Sequence, residues 1–329
     1  MLRAHFPSSM SLRVLLLPVI LIPIVLLPSV KAAAAGVANG FLISPVTEYL
    51  TVNKGTTQTV DIAVQNPTNS SVVAQAVVND FIASGNETGV PRVLLNGSAV
   101  PANNFRTLVS RIPNTILTPG EKQYIPVTIT VPKNAESGGY YGVVRFTPAT
   151  NGPSSGANVG LTASVGTLFL VTVPGNLSKK IELVQLSAAN SKGSPSSFLS
   201  YGNVSVMVRL KNIGNVYAQP FGTVLVKNMF GSTVASYQFN NTTPRASVLQ
   251  NSIRKFINPL PQKSWFGYYT INANIAYNTG GGNIIIANAS FWYIPWWSWL
   301  ILAAVIALLG ILGYYIRNRK YRHHRKHKG

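Results

Sequence analysis

The chain has 329 residues, with 27 Lys and Arg against 7 Asp and Glu, a net charge of +20, four His and no Cys. Lacking cysteine, it can have no disulfide framework, no Cys–His catalysis and no thiolate metal site. His5, His323, His324 and His327 lie near the two ends, so Ser-His-Asp chemistry and nearly every zinc site are excluded from the long middle as well.

The chain opens with Arg3, His5 and Arg13 ahead of an apolar run over 14–30, followed by Lys31 and a stretch of small residues. A basic lead, an apolar core and an Ala-rich cleavage region predict a secretory signal peptide over 1–35. Pro18, Pro23 and Pro28 interrupt the apolar run and argue against a permanent helix there.

From Phe41 onward the hydrophobic period is two. Val60, Ile62 and Val64 alternate with Thr59, Asp61 and Gln65, and Asn66 with Pro67 makes the turn. A second strand covers 71–79. Pro119 and Gly120 form a type II turn ahead of a strand carrying Ile125, Val127, Ile129 and Val131. Pro126 places that strand at a sheet edge or a bulge. Gly138, Gly139, Tyr140, Tyr141 and Gly142 open the next strand, and after a Gly/Ser/Pro/Asn loop over 149–158 a long apolar strand covers 161–173.

A second run repeats the logic. Val204, Val206, Val208 and Leu210 alternate ahead of Asn212, Ile213, Gly214 and Asn215. Strands follow at 224–226, 269–277 and 283–291, the last entering the final segment through Pro295. Many short strands with turn signals between them, and no amphipathic helix, predict β-sandwiches.

Residues 296–316 carry no charge. As a helix they would extend about 31 Å at about 1.5 Å per residue, matching a hydrocarbon core of about 30 Å. Trp292, Tyr293, Trp296, Trp297 and Trp299 stand at one end and Tyr314 and Tyr315 at the other, the two levels that aromatic rings favour at a bilayer. Seven of the 27 basic residues follow in 317–329, which puts that side in the cytoplasm and the preceding part outside. Three more lie in 1–35. The remaining seventeen are dispersed, with no basic helix, so nucleic acid is not an expected partner.

The expected fold class is therefore all-β: two tandem Ig-like β-sandwich domains with an N-terminal signal peptide and one C-terminal transmembrane helix. The boundaries are 1–35 for the signal peptide, 40–174 and 176–292 for the sandwiches, 294–316 for the transmembrane helix and 317–329 for the basic tail. The acids are Glu48, Asp61, Asp80, Glu87, Glu121, Glu136 and Glu182. With none after Glu182, the second sandwich cannot supply a glycosidase carboxylate pair. Asp61 on an outward strand face and Glu121 in a turn are expected in solvent. No catalytic residue, metal site or cofactor is expected.

The strand ending in Asn66, the turn at Thr118, Pro119, Gly120 and Glu121, and the run Gly138 to Gly142 resemble the bacterial WxL-interacting proteins, as does the order of parts. That resemblance implies a peptidoglycan-binding Ig-like domain, a second Ig-like domain contacting host or partner proteins, a single membrane helix and a basic tail. The expected function is a non-catalytic, membrane-anchored cell-surface scaffold touching peptidoglycan or other wall polymers and exported partner proteins. The alternative is a chaperone-like assembly component for another exported protein, because a sandwich edge can accept a donated strand. Tyr140 and Tyr141 are the candidate ligand contacts. They point to opposite faces of their strand, so one leaves the core, where it would either stack on sugar rings or pack under a neighbouring loop.

Overall fold

A computed structural model describes residues 40–95, 98, 101–149, 164–261, 265–277 and 283–326, with side chains placed as far as 317. The expected signal peptide lies outside the described residues, as do the loop residues 150–163 and the last three of the tail. The described chain is mostly β-strand, with one long C-terminal helix.

Strands β1 (Leu42–Ser44), β2 (Thr47–Thr51), β3 (Thr57–Gln65), β4 (Val72–Ala83), β5 (Pro91–Val93), β6 (Thr115–Leu117), β7 (Lys122–Thr130), β8 (Gly138–Ala149) and β9 (Val165–Val173) make two sheets. The smaller has the order β1-β3-β7. The larger has the order β2-β9-β8-β4-β5, with β6 also on β4. β3 and β7 run antiparallel in unbroken register from Thr57 opposite Thr130 to Gln65 opposite Lys122. Their alternation sends Ile62, Val64, Ile125, Val127 and Ile129 inward and leaves Asp61 in solvent. β7 is the edge strand that Pro126 foretells, and the expected turn closes with the Glu121 N–H donating to the Thr118 carbonyl at 3.1 Å.

The core between the two sheets is filled by these residues together with Phe105, Phe146, Phe169 and Val171. Phe105 is wholly buried, stacks on Phe169 at 5.5 Å, and sits under Gly142. A Cβ at Gly142 would lie 1.8 Å from the Phe105 ring.

Strands β10 (Ile181–Ala189), β11 (Phe198–Leu199), β12 (Ser205–Asn212), β13 (Phe221–Asn228), β14 (Thr233–Phe239), β15 (Ile253–Pro259), β16 (Gly267–Ala276) and β17 (Ile284–Tyr293) make two further sheets, β10-β12-β15 and β11-β17-β16-β13-β14. Their inward residues form a separate core around Val206, Val208, Leu210, Val224, Ile271, Ile275 and Phe291.

Each half fastens a strand end with a fully buried asparagine. The Asn66 amide donates to the carbonyls of Ser70, Leu117 and Thr118, while its oxygen accepts the Thr68 N–H. The Asn212 amide donates to Val216 and Val248, and its oxygen accepts the Gly214 N–H. An apolar side chain at either place would leave buried carbonyls without donors, costing about 1–3 kcal/mol per group.

α1 (Trp296–Lys326) follows β17 through Pro295 and continues past the expected end of the apolar run into the basic segment. Its part Trp296–Arg317 has a mean hydropathy of 2.3 and is unburied. It is the one helix among the described residues long and apolar enough to cross a membrane.

Gly142→Ala should therefore destabilise the first half by about 1–3 kcal/mol, the usual cost of overpacking. In a double-mutant cycle with Phe105→Leu the combined loss should be smaller than the sum, because the smaller side chain makes room for the new methyl. Urea denaturation of the four proteins checks this, and additive losses would mean that the two residues do not share the space.

Candidate functional site

The outward face of the larger first-half sheet is not a surface. Phe81 from β4, Tyr141 and Val143 from β8 and Leu170 from β9 form a third apolar cluster, and Tyr217 and Leu249 from the second half pack onto it. Tyr217 lies 5.4 Å from the Tyr49 ring and 6.4 Å from the Tyr141 ring. Polar contacts surround this patch. The Gly139 N–H donates to the Asn215 carbonyl at 2.9 Å, and the Asn103 amide donates to the Gly139 carbonyl at 3.0 Å. The Asn215 side chain in turn holds Asn176 and Ser178.

On another side of the joint, the Arg209 guanidinium grips both carboxylate oxygens of Glu87, and the Lys255 N–H donates to the Glu87 carbonyl at 2.8 Å. Arg209 holds the Glu87 carboxyl below its ordinary range, chiefly through the hydrogen bond and also through its charge. Residues 38–329 are accordingly one compact unit.

The two tyrosine candidates are both buried. Tyr140 enters the first core, with its hydroxyl donating to the Glu136 carbonyl at 3.1 Å. Tyr141 points to the opposite face as the strand alternation requires, but that face is the joint, and burial pushes its phenol well above the usual range. The glycines beside them serve packing: a Cβ at Gly139 would lie 2.1 Å from the Tyr141 hydroxyl. The run Gly138 to Gly142 and the run Asn212 to Asn215 thus meet each other at the joint and present no ring to a glycan. Three of the acids are occupied structurally. Glu87 pairs with Arg209, Glu121 accepts from Thr118 and Gln123, and Asp80 accepts the Arg106 N–H.

What the sequence did not indicate is an interruption in the larger first-half sheet. β4 is twelve residues long and pairs with β8 over most of its length. Along its other edge, β6 covers only Val72 to Ala74 and β5 only Phe81 to Ala83. Among the described residues, no strand pairs with 75–80 there. The Leu94 N–H donates to the Asp80 carbonyl on this edge, so by alternation the backbone groups of Ala76 and Val78 face the same way. They face a groove of about 720 Å³ whose far wall includes Arg106, Ser110 and Arg111. This wall belongs to the other sheet: the Ser110 N–H donates to Thr128 of β7, and the Thr130 N–H donates to Leu108. Asp80 helps to position it through the Arg106 N–H at 3.1 Å, and desolvation raises the Asp80 pKa. The groove therefore has a strand edge uncovered by any described strand on one side and two guanidinium groups on the other.

No family model and no curated protein matches the chain. Among solved structures it is similar to a chaperone–tip adhesin complex of CFA/I fimbriae biogenesis, at 16% identity and TM-score 0.37, covering 78% of this chain and 99% of that one. It is also similar to the class 5 fimbriae chaperone CfaA, at 13% identity and TM-score 0.37, covering 75% and 98%. The E. coli chaperone DraB matches at 12% identity and TM-score 0.35, covering 75% and 96%. Those matched proteins are described as fimbrial chaperones; for this chain, the expectation of a wall-polymer scaffold contacting glycan through Tyr140 and Tyr141 is corrected by the burial of both rings. Tyr140 is enclosed in the first core and Tyr141 at the joint, and enclosed rings cannot stack on sugar.

The Glu87–Arg209 pair gives the joint a pH dependence. A depressed carboxyl pKa contributes stability that is present above the unfolded value of 4.5 and lost as pH falls through the lower folded value. Glu87→Gln should cost about 1 kcal/mol or less at neutral pH, as expected for a partly exposed pair. The gap between wild type and variant should close in acid. Denaturation series between pH 7 and pH 3 check this, and a gap that stays constant would show that the carboxylate charge plays no part.

Proposed function

We propose that the chain is a chaperone-like assembly component that holds a segment of another exported protein, with the open edge of β4 as its receiving site. The observation that carries the reading is the stretch of β4 over 75–80 that no strand among the described residues covers on one edge, facing a walled groove. Main-chain hydrogen bonds to an added strand supply affinity, and the pockets beside it select side chains. Because the wall is tied to β7 while this edge of β4 is left uncovered among the described residues over 75–80, the site stands ready without rearrangement of either sheet.

The same proposal includes the layout. Residues 40–174 and 176–292 are tandem Ig-like sandwiches, 1–35 direct export, and α1 holds the molecule in the membrane with 317–329 in the cytoplasm. This order of parts is what supports kinship with the WxL-interacting proteins. Its chemistry is binding, and Asp80, Glu87 and Glu121 serve structure.

Photo-crosslinking in cells tests the reading. A crosslinking residue in place of the exposed Gln75 should capture an exported protein whose steady-state level falls severalfold when this chain is deleted. Wild type should restore that level, and Ser110→Trp, which fills the groove, should not. If every captured species keeps its normal level in the deletion strain, the assembly role is wrong.

A further inference from the structure

We infer that the end of the second half from which α1 leaves is a lipid-contacting surface, seated in the leaflet by Tyr201, Phe230 and Phe266. The inference rests on the reading of α1 as a membrane span.

Three separate loops bring these aromatics to one place. The residues before Tyr201 run beside the entry to α1: the Ile294 N–H donates to the Leu199 carbonyl at 2.9 Å and the Trp296 N–H to the Ser200 carbonyl at 3.2 Å. Phe266 precedes β16, whose Gly267 pairs with Tyr293 at the end of β17. Phe230 occupies the turn between β13 and β14, and its neighbour Met229 lies over Gly267, where an added Cβ would be 2.3 Å from the Met229 terminal methyl. Tyr201 is 73% exposed, Phe230 84% and Phe266 59%. Large apolar side chains left this open around one point normally mark an interaction surface.

The occupant follows from α1. Phe266 faces the helix across a cleft of about 510 Å³ that it shares with Trp297, Ile301 and Val305. From Trp297 to Val305 the helix descends about 12 Å at about 1.5 Å per residue. If Trp296, Trp297 and Trp299 mark the headgroup level, Phe266 stands beside helix turns that lie in acyl chains. The cleft then holds a phospholipid acyl chain, and Tyr201 and Phe230 rest among headgroups, where aromatic rings are favoured. Charge agrees: Glu182 in β10 is the one acid of this half, while Lys and Arg continue beyond it, so the half as a whole is attracted to an anionic leaflet.

The absence of cysteine makes the test clean. Single cysteines at residues 201, 230, 236, 266 and 304 of the full chain are spin-labelled in nanodiscs of mixed neutral and anionic phospholipid. Accessibility to oxygen and to a nickel chelate then reads depth. The label at Ala304 should be deep in the bilayer and that at Ser236, on exposed β14, in water. Labels at 201 and 230 should show oxygen-to-nickel ratios severalfold above that at 236, and the label at 266 a higher ratio still. A deep 304 with 201, 230 and 266 all matching 236 would overturn the lipid surface while leaving the span intact. A label at 304 that reads as aqueous would overturn the span and the surface together. Interface values at 201 and 230 with 266 no deeper would overturn the acyl-chain cleft.

Discussion

The covering of one sheet's outward face by Tyr217 and Leu249 is the constraint on which the rest of this molecule depends. A β-sandwich normally buries one face of each sheet and gives the other to water. Here the larger first-half sheet is buried on both, with Phe169 and Tyr140 facing one core and Phe81, Tyr141 and Leu170 facing the joint. Apolar contact of this kind is non-directional and would tolerate sliding. The polar contacts around it do not: the Gly139–Asn215 hydrogen bond and the two-pronged Arg209–Glu87 pair each require one register. Burial supplies most of the cohesion and the hydrogen bonds fix the angle.

That division explains which parts were legible in the sequence. Strands β3, β7 and β16 declare themselves because each alternates over many residues between one core and a more open face. β12 does so because Val206, Val208 and Leu210 alternate in sequence with Met207, Arg209 and Lys211. Pro126 marks an edge because it cannot donate to a second neighbour. The three-residue strands β5 and β6 have no period of their own and exist because β4 offers an edge. β15 carries Arg254 and Lys255 near its start, which obscures the alternation, yet Arg254 is half-buried with its guanidinium donating to the Ser247 carbonyl.

The two tyrosines show the limit more sharply. Strand alternation places Tyr140 and Tyr141 on opposite faces, and so they are. What covers the second face lies at residues 217 and 249, far along the chain, and no local pattern around 141 points there. The β4 groove is hidden for a related reason. It consists of pairing that no strand among the described residues makes between residues 74 and 81, beside a wall that arrives from 106–111. A missing neighbour leaves no mark in the sequence of the strand that lacks it.

The apolar surface of the second half follows a different rule. In the joint, aromatic rings are enclosed and their neighbours are glycines, small enough to admit them. Around the start of α1 the aromatics are open, mutually distant in sequence, and joined only by their nearness to Trp296. Enclosed rings hold two protein surfaces together, whereas open rings beside an uncharged helix match a solvent that is apolar at one depth and polar at the next. The joint ties both halves into a single unit. On the proposed reading, anchoring one half at a leaflet restrains the β4 groove in the other. A segment emerging from the membrane nearby would meet it at raised effective concentration, so that a short stretch of strand edge and two arginines would need less intrinsic affinity per contact.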